Sequence, residues 1–98
     1  MLGWVGVLSA ELHFPDAHSL KEKRMHVRSA KDQLRNRFGA AVAEVDHHDV
    51  WQRARLTVAV VTREASEAER LVADAERYLA SREWELGAVV RELVSLDD

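Results

Sequence analysis

Six cations in the first half of the chain, Lys21, Lys23, Arg24, Arg28, Lys31 and Arg35, carry most of the chemistry this sequence offers. All but Lys23 recur at intervals of three and four, the spacing that stacks side chains along one face of a helix. His18 to Phe38 holds seven of the fourteen Lys and Arg residues against two acids, Glu22 and Asp32, although the whole chain has a net charge of −3. Residues 64–98 hold ten Asp and Glu against four Arg. A positive stripe on an acidic body suits an anion, and a row of phosphates above all. Each of the six is expected to contact a phosphate, with Arg37 and Arg53 as outliers. The stripe is not laced with acids as a self-neutralised helix would be. It also begins at a helix N-terminus, where free amides favour anions. Contacts of this kind position RNA rather than read its sequence. Two plainer readings stay open: a solvated helix face, or a surface for an acidic protein such as the acidic half of a second copy.

Other chemistry is less well supplied. Asp46-His47-His48-Asp49 has the residue types of a metal site. Successive residues of an extended chain point opposite ways, so at most two of the four converge. Zinc takes three or four ligands, and His13 and His18 would have to come from elsewhere. A polar bend without metal is expected, with Asp46 accepting from backbone amides or from Arg53. Glu11, His13, Glu44, Asp46 and His47 could gather across neighbouring strands for acid–base work. No Gly-rich phosphate loop, nucleophile elbow or HExxH accompanies them, so no catalytic residue and no cofactor is assigned. Trp51 is expected to anchor a loop rather than to stack on a base. Trp4 and Trp84 have core parity.

These residues need elements to position them. Ninety-eight residues, 47% hydrophobic and 32% charged, suit one globular domain spanning 1–98. Without cysteine there is neither disulfide nor thiolate metal site. No apolar run approaches the ~18 residues of a membrane span, and a cytoplasmic protein is expected. Residues 2–14 alternate as a strand, with Leu2, Trp4, Leu8, Ala10, Leu12 and Phe14 on the apolar side. Ser19 with Glu22 spells a capping box, and the helix behind it carries apolar Leu20, Val27, Ala30, Leu34 and Phe38 up to Gly39. A short strand over 40–46, a bend and a strand over about 54–63 follow. Ser66 with Glu69 marks a second capped helix. Trp84, Leu86, Ala88, Val90 and Val94 alternate through a last strand ending near Leu96. The order β-α-β-β-α-β predicts a ferredoxin-like α+β fold, a four-stranded antiparallel sheet with two helices on one face. The other face would show Val5, Val7, Thr57, Ala59 and Val61 or their parity neighbours, too apolar a surface for water.

Three separated motifs also resemble a known family: Glu11-Leu12-His13-Phe14-Pro15 through His18-Ser19-Leu20-Lys21-Glu22-Lys23-Arg24; Arg35-Asn36-Arg37-Phe38 with Val42-Ala43-Glu44-Val45-Asp46-His47; and Trp51-Gln52-Arg53-Ala54. Together they are similar, in order and spacing, to the YlxP-like family of small bacterial proteins. His48 departs from the Gln that relatives often carry. The resemblance implies the ferredoxin-like fold and no established activity. Genes of that family often lie beside those for translation initiation and ribosome maturation factors, which implies a link to the ribosome or to RNA. The leading expectation is therefore a non-enzymatic binding protein that meets RNA or the ribosome through the basic stripe. The alternative is a homodimeric assembly module using the open sheet face or an edge strand, which would bring two stripes into one surface. Last comes a small enzyme or metal-binding protein using His13, Asp46 and His47.

Overall fold

In the computed structural model, which describes residues 1–97, the first strand β1 runs over Trp4–His13. Its even-numbered Leu8, Ala10 and Leu12 are wholly buried, while the odd-numbered side chains point to the opposite face. Helix α1 follows at Leu20–Phe38. The Ser19 hydroxyl accepts from the Glu22 amide at 3.1 Å. The return bond of the expected box comes one residue early, with Glu22 Oε2 accepting from the His18 amide at 3.1 Å. Gly39 ends the helix at φ 61°, its amide donating to the Arg35 carbonyl at 3.0 Å. Glycine adopts this left-handed conformation without steric cost.

Strands β2 (Ala41–Asp46) and β3 (Arg53–Thr62) form the hairpin, followed by α2 (Ala65–Ala80) and β4 (Glu85–Ser95). The sheet order is β2-β3-β1-β4 with every neighbouring pair antiparallel. This is the ferredoxin-like α+β architecture. Leu8, Ala10 and Leu12 of β1, Ala54, Leu56, Val58 and Val60 of β3, and Val27, Ala30, Leu34, Val72, Ala75 and Leu79 of the helices form one core. Among the described residues no helix is long and apolar enough to cross a membrane.

Two expectations about element ends are corrected. The second helix does not start at a Ser66 cap. It begins at Ala65 after Glu64, whose side chain makes no capping bond. Only Arg63 and Glu64 separate β3 from α2, so the helix must start at once, and the Thr62 hydroxyl braces the turn on the Glu64 carbonyl at 2.7 Å. Nor does the alternation of the last strand hold throughout. Ala10 faces Val89 but Leu12 faces Leu86, so β4 carries one extra residue there. A bulge of this kind reverses parity. Trp84 is buried at one end, while Val90 and Val94 come out on the open face beside Val5, Val7, Ala59 and Val61. A second shift on β2, between Glu44 and Asp46, separates those two carboxylates in the same way.

Candidate nucleic-acid interface

The spacing of Lys21, Arg24, Arg28 and Lys31 becomes a ridge on α1. Lys21, Arg24 and Arg28 are exposed and Lys31 is partly so. Among the described residues none of these four forms an ion pair, whereas Asp74 and Glu76 of α2 pair with Arg70, Arg77 and Arg91. Arg24, Arg28, Lys31 and Arg35 line one groove with Asp32 and Glu44, and Lys21, Arg24 and Arg28 line its neighbour. The helical rise puts Lys21 and Lys31 about 15 Å apart.

Arg35 stands at the far end and is half committed. Its Nη2 donates to the Val42 carbonyl at 3.3 Å and its Nη1 lies 3.8 Å from Asp32. Arg37 leaves the ridge, with its guanidinium 5.3 Å from the centre of the Tyr78 ring. Burial pushes the Tyr78 hydroxyl's pKa up, against the opposing charges of Arg82 and Arg37.

Lys23 requires a correction. It is expected among the phosphate contacts, yet its side chain is 1% exposed. It lies four, seven and eleven residues before Val27, Ala30 and Leu34, on the apolar stripe rather than the cationic one. Its ammonium donates to the His47 carbonyl at 2.6 Å and sits 2.8 Å from Glu44 Oε2. The lysine thus pegs the β2–β3 bend to the first turns of α1. It also neutralises the carboxylate that would otherwise lie bare in the groove beneath the ridge.

The bend explains a second correction. Trp51 does not anchor it but is 45% exposed. Lys23 holds the bend from below, and the Gln52 carbonyl accepts from the Phe14 amide at 2.9 Å, so no aromatic plug is needed. Trp84 is buried and its indole donates to the Leu79 carbonyl at 2.9 Å, while Trp4 is half-buried.

Of the acid–base candidates, the structure joins Glu11, Asp46 and His47 and separates the others. Glu44 belongs to Lys23 on the helix side, and His13 and His18 are exposed. Among the described residues no three His, Asp or Glu side chains are arranged to hold a metal. Asp46 accepts from the His47 amide at 2.8 Å, as expected, but Arg53 goes elsewhere. Glu11, on the open sheet face, accepts at Oε1 from Arg53 Nε at 3.0 Å and Arg53 Nη2 at 2.6 Å. His47 Nε2 lies 3.0 Å from the same oxygen, and Oε2 accepts from Arg55 Nη1 at 3.2 Å. Burial alone would raise the Glu11 pKa. The bonds from Arg53 and Arg55, with the charges of His47 and Arg53, outweigh it and hold the carboxyl below its ordinary value. Arg55 is the residue that sequence reasoning missed. Its signal is a direct cross-strand pairing with Glu11, which appears only once the register is known.

Comparison with known proteins follows the same division between fold and function. The uncharacterized protein YlxP of Bacillus subtilis (strain 168) is 29% identical over 90 residues, covering 82% of this chain and 98% of that protein. A solved de novo designed protein, Ferredog-Diesel, aligns over 88% of this chain and 83% of its own with a TM-score of 0.42 and 14% identity. That likeness is too low to carry weight, and the fold rests on the strand order itself. Residues 5–91 match the family described as "Protein of unknown function (DUF503)", and the chain belongs to that family.

Proposed function

We propose that this protein binds RNA, in the setting of the ribosome, through the ridge Lys21, Arg24, Arg28 and Lys31, and that it does so without catalysis. The observation behind this reading is that four cations share one helix face with no ion pair among the described residues. An exposed arginine or lysine with a local carboxylate partner gives up that pairing before it can meet phosphate. These four give up nothing but solvent and counterions, whose release drives association. Arg35 adds a fifth contact at the cost of its Val42 and Asp32 partners.

The chemistry of Glu11 favours binding over catalysis. A carboxylate that already accepts from two guanidinium groups and is held below its ordinary pKa is a weak proton acceptor.

Retention on ribosomes, or on a structured RNA, tests the proposal. Each phosphate contact contributes ~0.7–0.9 to the log–log dependence on salt, so four contacts give a slope of about −3. Reversing Arg24, Arg28 and Lys31 to Glu is expected to abolish retention while leaving the circular dichroism spectrum unchanged, because all three point away from the core. Retention that survives both high salt and this triple reversal would remove the ridge from the function.

A further inference from the structure

The face of the sheet that no helix covers is the most unusual surface of this molecule. Val5, Val7, Ala59, Val61, Val90 and Val94 meet there across three strands. Val61 is 76% exposed, Val90 53% and Val94 39%. A patch of valines this broad is uncommon on a chain that works alone. Several of its polar members are already satisfied by one another. Ser9 and Thr57 share a hydrogen bond of 3.0 Å, and Arg55 Nε donates to Ser9 at 3.1 Å. Glu11, though it lies on this open face, leaves only 9% of its side chain to solvent under Arg53, Arg55 and His47. Covering these groups would therefore strand no donor or acceptor among them. Glu92, exposed on β4 beside Val7 and in no ion pair among the described residues, is the carboxylate that would need a partner from the covering surface.

We propose that the occupant is a second copy of this chain, packed open face against open face about a two-fold axis. Three observations select a copy over a foreign partner. The charges on the face are of both signs, Glu11, Asp46, Glu85 and Glu92 against Arg53 and Arg55, so each copy carries both acids and arginines to set against those of the other. Valine against valine is complementary to itself, which an isologous interface requires. The area suffices as well. Two strands of 10 residues, one of 11 and one of 6, at ~3.3 Å per residue and ~4.8 Å per strand, make a footprint of roughly 600 Å² per copy. Two such faces remove about 1,200 Å² from solvent, which is the lower end of stable interfaces. The product is two helical layers outside two stacked sheets. The α1 ridges then lie on opposite outer surfaces. This differs from the single merged cationic surface that dimerisation suggests from the sequence, and it leaves each ridge free.

Sedimentation equilibrium of the full chain at tens of micromolar tests this. The expected mass is twice the 11.1 kDa of one chain. Val61→Glu, at the most exposed valine of the face, and Val7→Glu, at its centre, are each expected to give the single-chain mass with an unchanged circular dichroism spectrum. Val61→Thr, isosteric and uncharged, is expected to keep the double mass. If Val7→Glu loses its fold, Val90→Glu on the adjacent strand supplies the same readout from another exposed position. A wild-type mass of one chain overturns the proposal. So does a double mass that survives the Glu substitutions, since the copies would then meet elsewhere, for example along the β4 edge.

Discussion

Glu11 and Lys23 show how one side chain can reverse the role that its residue type suggests. Glu11 is a carboxylate used as a structural acceptor. Its folded pKa lies below the ordinary value of 4.5, so the cluster stabilises the fold above that pH. The contribution is lost as pH falls through the lower folded value. Thermal melts should therefore show stability dropping below about pH 4.5 in the wild type. In Glu11→Gln, which leaves Arg53 and Arg55 without their counter-charge, stability should start lower and depend less on pH in that window. An equal acid slope in the two proteins would assign the dependence to other carboxylates. Lys23 is a cation used as a peg. Lys23→Met preserves the stem but leaves Glu44 and the His47 carbonyl without their buried partner. The expected loss in chemical denaturation is about 3 kcal/mol, far more than an exposed lysine would show. A loss below ~1 kcal/mol would mean that the bend is held by something else.

At the scale of elements, the ends of α1 were legible because they are local. Ser19 at the start and Gly39 at the end act through their own residue types, and both do so as their types dictate. Ser19→Ala is expected to cost about 1 kcal/mol in a denaturant titration, the usual value of an N-cap hydroxyl. Proline at the same position would be no substitute, since it too lacks the acceptor. The start of α2 was not legible, because Ser66 and Glu69 have the letters of a cap but lie two residues too late, the cap position being Glu64. The length of β3 and its two-residue connection decide where that helix begins. The bulges in β2 and β4 escaped for a similar reason. A register shift is a relation between two strands, and alternation read along one strand assumes that none occurs. With the shift in place, Glu44 turns to Lys23 and Asp46 to the opposite side, which a uniform strand could not do.

For the whole molecule, the helices cover one sheet face and leave the other bare, so cationic and apolar surfaces fall on opposite sides. Each can then act without competing with the other. If the bare faces meet in a pair, folding and association are coupled. The melting temperature should rise with protein concentration, because mass action stabilises whatever only the folded state binds. A midpoint independent of concentration over a hundredfold range would disconnect the two.

By itself, the sequence determined the order of elements, the sheet face that would be apolar, and the period that gathers Lys21, Arg24, Arg28 and Lys31 on one side of a helix. Those are properties of neighbours within one segment, where turn chemistry and periodicity act directly. Only the tertiary structure decided that Lys23 belongs to the core and that Arg53 and Arg55 converge on Glu11. The same holds for Trp51, which stands in solvent. Each of these depends on which strand lies beside which, and in what register. The energy of a buried charge or a cross-strand pair exists only once distant parts of the chain have met.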